Sequence, residues 1–171
     1  MSISHPQFTT RIEGSDALIF DLIADLPNYG RWLPESQAFG ETTDVTPYPV
    51  RLGTTYVDAG PLGQKPGKVI AYDPPRAIAF HHTMLLDMGP LAANVDMNVR
   101  YWLEPHGGAT RVVRDLDLTI QMHGPLRVAQ PLVAQALRKE NVRILAELKR
   151  YVEALPKQPD LTVVNMLQVR R

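Results

Sequence analysis

PLRVAQPLVAQALRKENVRILAELKRYVEAL, residues 125–155, is the stretch that decides the fold of this chain. Read at helical spacing, Leu132 or Val133, Leu137, Asn141, Ile144, Leu148, Tyr151 or Val152 and Leu155 fall on one face, while Arg138, Lys139, Arg143, Glu147 and Arg150 take the other. The spacing predicts one long amphipathic helix. Pro125 and Pro131 suit its first turn, where the missing N–H costs nothing, or a kink at the second proline; Pro156 closes it. If continuous, it is about 45 Å long at 1.5 Å per residue. An apolar stripe of that length needs a broad surface to lie on. The sequence before it holds strands and one other short helical stretch, so the surface is expected to be a sheet.

Working back from the helix, the chain reads as strands at about Gln37–Thr43, Thr54–Ala59, Lys68–Tyr72, Ala77–Leu85, Asn94–Glu104 and Thr110–Met122, separated by proline- and glycine-rich turns. Short turns between consecutive strands argue an antiparallel meander with one packed and one wet face. The last two strands show it best. Val95, Met97, Val99, Tyr101 and Leu103 oppose Asn94, Asp96, Asn98 and Arg100; Val112, Leu116, Leu118, Ile120 and Met122 oppose Arg111, Asp115, Asp117 and Gln121. At the N-terminus Phe8, Thr10 and Ile12 alternate with polar neighbours as a first strand. Ser15 then caps a short helix to about Asp25, and Pro27 and Pro34 bracket a turn that delivers Tyr29 and Trp32 inward. The whole is an α+β domain over residues 1–156, its curved antiparallel sheet wrapped around the C-terminal helix.

Composition narrows the function. The chain has 171 residues, 44% hydrophobic and 21% charged, enough for one domain with a sizeable core. Its 18 basic and 18 acidic residues leave no global field for nucleic acid or an anionic membrane, so no nucleic-acid partner is expected. Without cysteine there are no disulfides, thiolate metal sites or cysteine nucleophile. No apolar run approaches the roughly 20 residues of a membrane span, and no signal segment is recognisable, so the expectation is a soluble, cytoplasmic protein.

The run FDLIADLPNYGRWLPES resembles the segment of START-like, or SRPBCC, proteins in which a short helix ends in an aspartate and leads through a proline-tyrosine turn to a tryptophan. VIAYDPPRAIAFHH resembles that superfamily's strand, turn and next strand, and GGATRVVRDLDLTI followed by ENVRILAELKRYVEA its last strand and closing helix. Within it the chain is most similar to the bacterial polyketide cyclase/dehydrase group. The resemblance implies a helix-grip fold: a sheet gripping the long helix, two short helices after the first strand, and a cavity for an apolar ligand. It supplies no catalytic residues, because the superfamily shares no catalytic motif.

Several motifs are set aside. GQKPGKV, residues 63–69, echoes a phosphate loop but is one residue short, has Val69 in place of a hydroxyl, and precedes a strand. His81 and His82 are strand neighbours and point to opposite faces, so they cannot chelate one ion; neither a metal nor a cofactor is expected. His5, His106 and His123 read as loop or strand-end residues.

What remains is a pocket between sheet and helix, with Trp32, Phe80, His82, Met97, Val99, Tyr101, Arg114, Leu116, Asn141 and Leu148 as candidate ligand contacts. Arg114 shares the parity of Val112, Leu116 and Leu118, which puts a guanidinium on the apolar face. It needs an acceptor there, either an internal carboxylate such as Asp58 or a group on the ligand. Two functions follow. One is binding, sequestration or transport of a hydrophobic small molecule such as a lipid, polyketide or aromatic compound. The other is a cyclase or dehydrase in which His82 or Tyr101 acts as acid or base and Arg114 stabilises an enolate. An enzyme should leave a carboxylate–histidine pair or another charge constellation on the inner face, and only Arg114 is evident there, so binding is the first reading. The tail, residues 157–171, is too apolar for a solvated terminus and is expected to dock on the sheet edge or on a second subunit, giving a homodimer.

Overall fold

The computed structural model describes residues 2–61, 63–88, 91–122 and 130–156. His123, the expected first turn at Pro125 and the tail at 157–171 lie outside the described residues. Two N-terminal strands, β1 (Ser2–Ser4) and β2 (Gln7–Ile12), both run antiparallel to β8 (Ala109–Met122), as one edge interrupted at His5 and Pro6. Between them and β8 come α1 (Asp16–Ala24), a 3-10 turn (Leu26–Arg31), β3 (Glu41–Thr46), β4 (Thr55–Gly60), β5 (Gly63–Asp73), β6 (Ala77–Met88) and β7 (Leu91–His106). Beyond β8, the helix α2 (Gln130–Ala154) ends the described chain. Among the described residues the sheet order is β1/β2–β8–β7–β6–β5–β4–β3, every pairing antiparallel. This is the helix-grip architecture. No helix of the described residues is long and apolar enough to cross a membrane.

Local chemistry explains the element boundaries. Ser15 caps α1, its Oγ accepting from the Leu18 N–H at 3.3 Å, as its position before an apolar run predicts. The third strand begins later than Gln37, because the Ser36 hydroxyl accepts from the N–H groups of Ala38 and Phe39, both at 3.1 Å, and folds that segment into a turn. The fifth begins earlier than Lys68. Gly63 to Pro66 pair with β4 alone, and the pairing of β5 with β6 starts only at Gly67, so Pro66 withholds no hydrogen bond from β6.

The long helix meets the sheet differently at its two ends. Leu145, Leu148 and Val152 are buried in the main core with Ile12, Leu103 and Val112. Toward its N-terminus Val133, Ala134 and Leu137 are only partly buried, against a separate cluster of Val95, Leu118 and Ile120. The C-terminal half is therefore packed core and the N-terminal half roofs a space. Leu148→Ala is expected to cost about 2–5 kcal/mol, while Leu132→Ala, at a site 67% exposed, stays within about 0.5 kcal/mol. Urea denaturation of both variants checks this, and equal losses would remove the distinction between the halves.

Candidate ligand cavity

Residues directly opposite across an antiparallel ladder share a face, and the register sorts the inner surface into rows. Arg114 faces Tyr101, which faces Ile78; Leu116 faces Val99, then Phe80, then Val69. The next row runs Leu118, Met97, His82, Gly67 and Tyr56 across five strands. At the far edge Asp58 lies between Thr42 and Lys65. Under α2 these rows enclose a cavity of about 480 Å³, a size usual for small-molecule sites. Its walls are mainly apolar, with polar groups gathered from β4, β5, β6, β8 and α2.

Seven of the ten expected contacts line this cavity: Phe80, His82, Met97, Val99, Tyr101, Arg114 and Asn141. Three do not. Trp32 is turned into the core, its Nε1 donating to the Leu22 carbonyl at 3.1 Å and its ring edge-on to Tyr29. Leu116 is buried in the main core and borders a separate recess with Pro6 and Leu118. Leu148 has the inward parity but sits where the helix touches the sheet, fully buried. Parity sets the face of a residue, not whether the opposing wall is in contact there. Tyr29, Tyr56, Asp58, Lys65 and Glu140 line the cavity in addition. For Tyr56 and Asp58 the alternation in β4 was a usable signal; for Lys65, inside a strand that begins earlier than the sequence suggests, it was not.

Arg114 is buried, and Asp58 is not its partner. Its Nε donates to Asn141 Oδ1 at 2.7 Å, and the guanidinium lies 4.7 Å from the Tyr101 ring centroid. Asn141 is oriented in turn by donation from its Nδ2 to the Leu137 carbonyl one helical turn earlier, also at 2.7 Å. Burial pulls the guanidinium down to about 10, so it remains cationic at neutral pH. Glu140 accepts from Arg143 at 3.0 and 2.7 Å and from Ser36 at 2.9 Å; burial pushes its carboxyl up, but these bonds and the Arg143 charge hold it below the usual range.

On the other side of the cavity Tyr56 and His82 form a pair, hydroxyl to Nε2 at 3.1 Å. They stand on strands separated by β5, and the contact exists because of Gly67. A Cβ there would come within 2.5 Å of the Tyr56 ring, which crosses β5 over the bare backbone. The His82 Nδ1 is buried without a hydrogen-bond partner among the described residues, 3.8 Å from Asp58 Oδ2. Burial first, then the positive charges of Lys65 and Arg114, depress the imidazole to about 3, so it is neutral and forms no ion pair with Asp58. Asp58 accepts from Thr42 at 2.6 Å and is raised by burial. His81, its strand neighbour, points outward and meets Asp96 at 3.0 Å. Among the described residues no three His, Cys, Asp or Glu side chains are placed to hold a metal ion.

A buried-walled cavity between a curved antiparallel sheet and a closing helix agrees with what sequence comparison finds. The profile of the family described as polyketide cyclase/dehydrase and lipid transport matches residues 7–153. The chain belongs to that family. Among solved structures this polyketide cyclase/dehydrase family member is similar to the Zhui aromatase/cyclase from Streptomyces sp. R1128, at 13% identity and a TM-score of 0.72, over 89% of this chain and 94% of that one. It is also similar to a START superfamily protein from Mycobacterium smegmatis, at 17% identity and a TM-score of 0.65, over 89% and 99%. The major latex-like protein 151 from Panax ginseng matches at 9% identity and a TM-score of 0.65, over 90% and 99%. Identities this low show the START-like fold alone. No curated protein matches the chain by sequence.

Two outcomes follow for this family member. Gly67→Ala is expected to push the Tyr56 ring aside and release its bond to His82, lowering the melting temperature; an unchanged melting temperature and unchanged His82 ring shifts would refute the close approach. Because His82 is depressed to about 3, the unfolded chain takes up its proton at higher pH than the folded one. Its contribution to stability is therefore full above about pH 6.5 and is lost as the pH falls toward the folded value, by on the order of 1 kcal/mol per pH unit. Against His82→Gln, the parent should lose stability more steeply between pH 6.5 and 4; parallel curves would contradict it.

Proposed function

We propose that the protein binds a hydrophobic small molecule inside the grip and holds or carries it without altering it. The observation that carries this reading is the cavity itself: apolar walls of Phe80, Met97 and Val99 from the sheet, a helix half that roofs them while only partly buried, and polar groups confined to a few positions. Family membership supports it, since the family description includes lipid transport. Val99→Trp, which fills the space from the middle of β7, is expected to abolish uptake of an environment-sensitive apolar dye while the melting temperature stays within a few degrees. If the parent takes up no dye and the variant is destabilised by about 1–3 kcal/mol, as overpacking of a filled core would be, the site is packed core and the reading fails.

A second reading, an acid–base enzyme of cyclase or dehydrase type, is favoured by one arrangement. His82 and Asp58, a histidine and a carboxylate, do stand together on the inner face beside Tyr56. Against it, an imidazole depressed to about 3 is a weak base, and general-base catalysis is most effective with a pKa near the working pH. Binding without chemistry therefore comes first. Incubation with a linear poly-β-ketone distinguishes the two: binding predicts recovery of the unreacted compound, whereas conversion by the parent that His82→Gln abolishes without loss of binding would put the enzyme first.

A further inference from the structure

The titratable groups around the cavity carry unequal charge. Arg114 comes from β8, Lys65 from β5, Asp58 from β4, His82 from β6 and Glu140 from α2. Glu140 is satisfied by Arg143 on its own helix, and His82 is neutral. Arg114 and Lys65 feel Glu140 as well as Asp58, but Arg143 offsets Glu140, so the three cations against two carboxylates leave one positive charge in excess.

Neither cation is satisfied by the protein. Arg114 is 7% exposed, and its one hydrogen bond goes from Nε to a neutral amide, Asn141 Oδ1. Nη1 and Nη2 take no acceptor among the described residues, and no described carboxylate pairs with the guanidinium. Tyr101 covers its face and Asn141 accepts from its Nε, so its outer fork is fixed in direction. Lys65 uses one of its three N–H groups on the Ala38 carbonyl at 2.7 Å and keeps two. An uncompensated buried charge costs several kcal/mol, and a neutral acceptor would leave that charge in place. A phosphate monoester carries roughly two negative charges at neutral pH and would overshoot the balance. A carboxylate supplies one charge and two oxygens, matched to a guanidinium fork.

From this geometry we propose that the ligand is a monoanionic amphiphile, a carboxylate on an apolar tail. The carboxylate sits on the free Nη groups of Arg114 within reach of Lys65, and the tail runs beneath α2 toward Leu137 and Val133. The assignment rests on the reading of the cavity as a ligand site.

The test is calorimetric titration of the full chain at pH 7 with dodecanoate and with dodecan-1-ol, which share a tail and differ in head. The parent is expected to bind the acid tighter by about tenfold or more, as a charge-assisted bidentate contact implies. In Arg114→Met the preference disappears while the alcohol binds as before. The melting temperature of unliganded Arg114→Met is expected to be unchanged or higher, because an apolar isostere replaces an unpaired buried charge. Lys65→Met reduces the preference by less, and supplies the same comparison should Arg114→Met not fold. Equal affinity of the parent for acid and alcohol overturns the carboxylate assignment and leaves the cavity reading standing. Failure to bind either probe or an apolar dye overturns both. A destabilised Arg114→Met or Lys65→Met whose preference for the acid persists makes that cation structural and also overturns the assignment.

Discussion

The constraint on which the rest depends is that the C-terminal half of α2 is packed core while its N-terminal half, only partly buried, roofs the cavity. At one end Leu145, Leu148 and Val152 complete the main core; at the other Val133, Ala134 and Leu137 rest on Val95, Leu118 and Ile120. A sheet curved around a straight helix cannot hold contact along about 37 Å of α2, the length of its 25 residues at 1.5 Å each. The space left over is the cavity. Main-core burial secures the helix while the cavity-facing surfaces forgo the dispersion contacts that close packing would give them.

Polar side chains are tolerated on the inner face because local devices hold them. Asn141 is fixed by its own helix and turns its oxygen to Arg114. Tyr56 reaches His82 only across the bare backbone of Gly67. Thr42 holds Asp58, and Ser36 with Arg143 holds Glu140. Among the described residues these networks leave the buried His82 Nδ1 without a protein partner, and the one hydrogen bond of the Arg114 side chain is made by Nε. Buried polar groups are satisfied as a rule, and the exception at His82 Nδ1 lies in the wall of the proposed ligand cavity.

Charge explains why burial acts in opposite directions on neighbouring groups. Burial lowers Lys65, His82 and Arg114 and raises Tyr56 and Asp58, in each case disfavouring the charged form. Lys65 and Arg114 add to the depression of His82, and so the one imidazole in the cavity is kept from acting as a base near neutral pH. The same two cations are what the proposed anionic ligand would answer.

Alternation and helical period were enough to place the meander, the gripping helix and the inward faces of His82, Val99, Tyr101, Arg114 and Asn141, because each depends only on the repeat of the backbone. The order of the short helix, proline-tyrosine turn and tryptophan was equally legible, and it carried the resemblance that family membership bears out. Depth was not legible. Leu148 and Asn141 lie seven residues apart on one face, yet one is packed core and the other faces the cavity, since contact with the sheet depends on its curvature and not on the helix's period. The inward turn makes Trp32 a candidate ligand contact or ordinary core, and the choice rests on the Leu22 carbonyl, which takes its indole N–H and holds it in the core. Nor could spacing place Asp58 beside His82, 24 positions later and two strands away, or show that Gly67 lets Tyr56 cross between them. The sequence by itself determined the elements and their faces, through short-range periodicity; the tertiary structure alone decided which inward residues meet protein and which meet a cavity, because that depends on the distance between two curved surfaces.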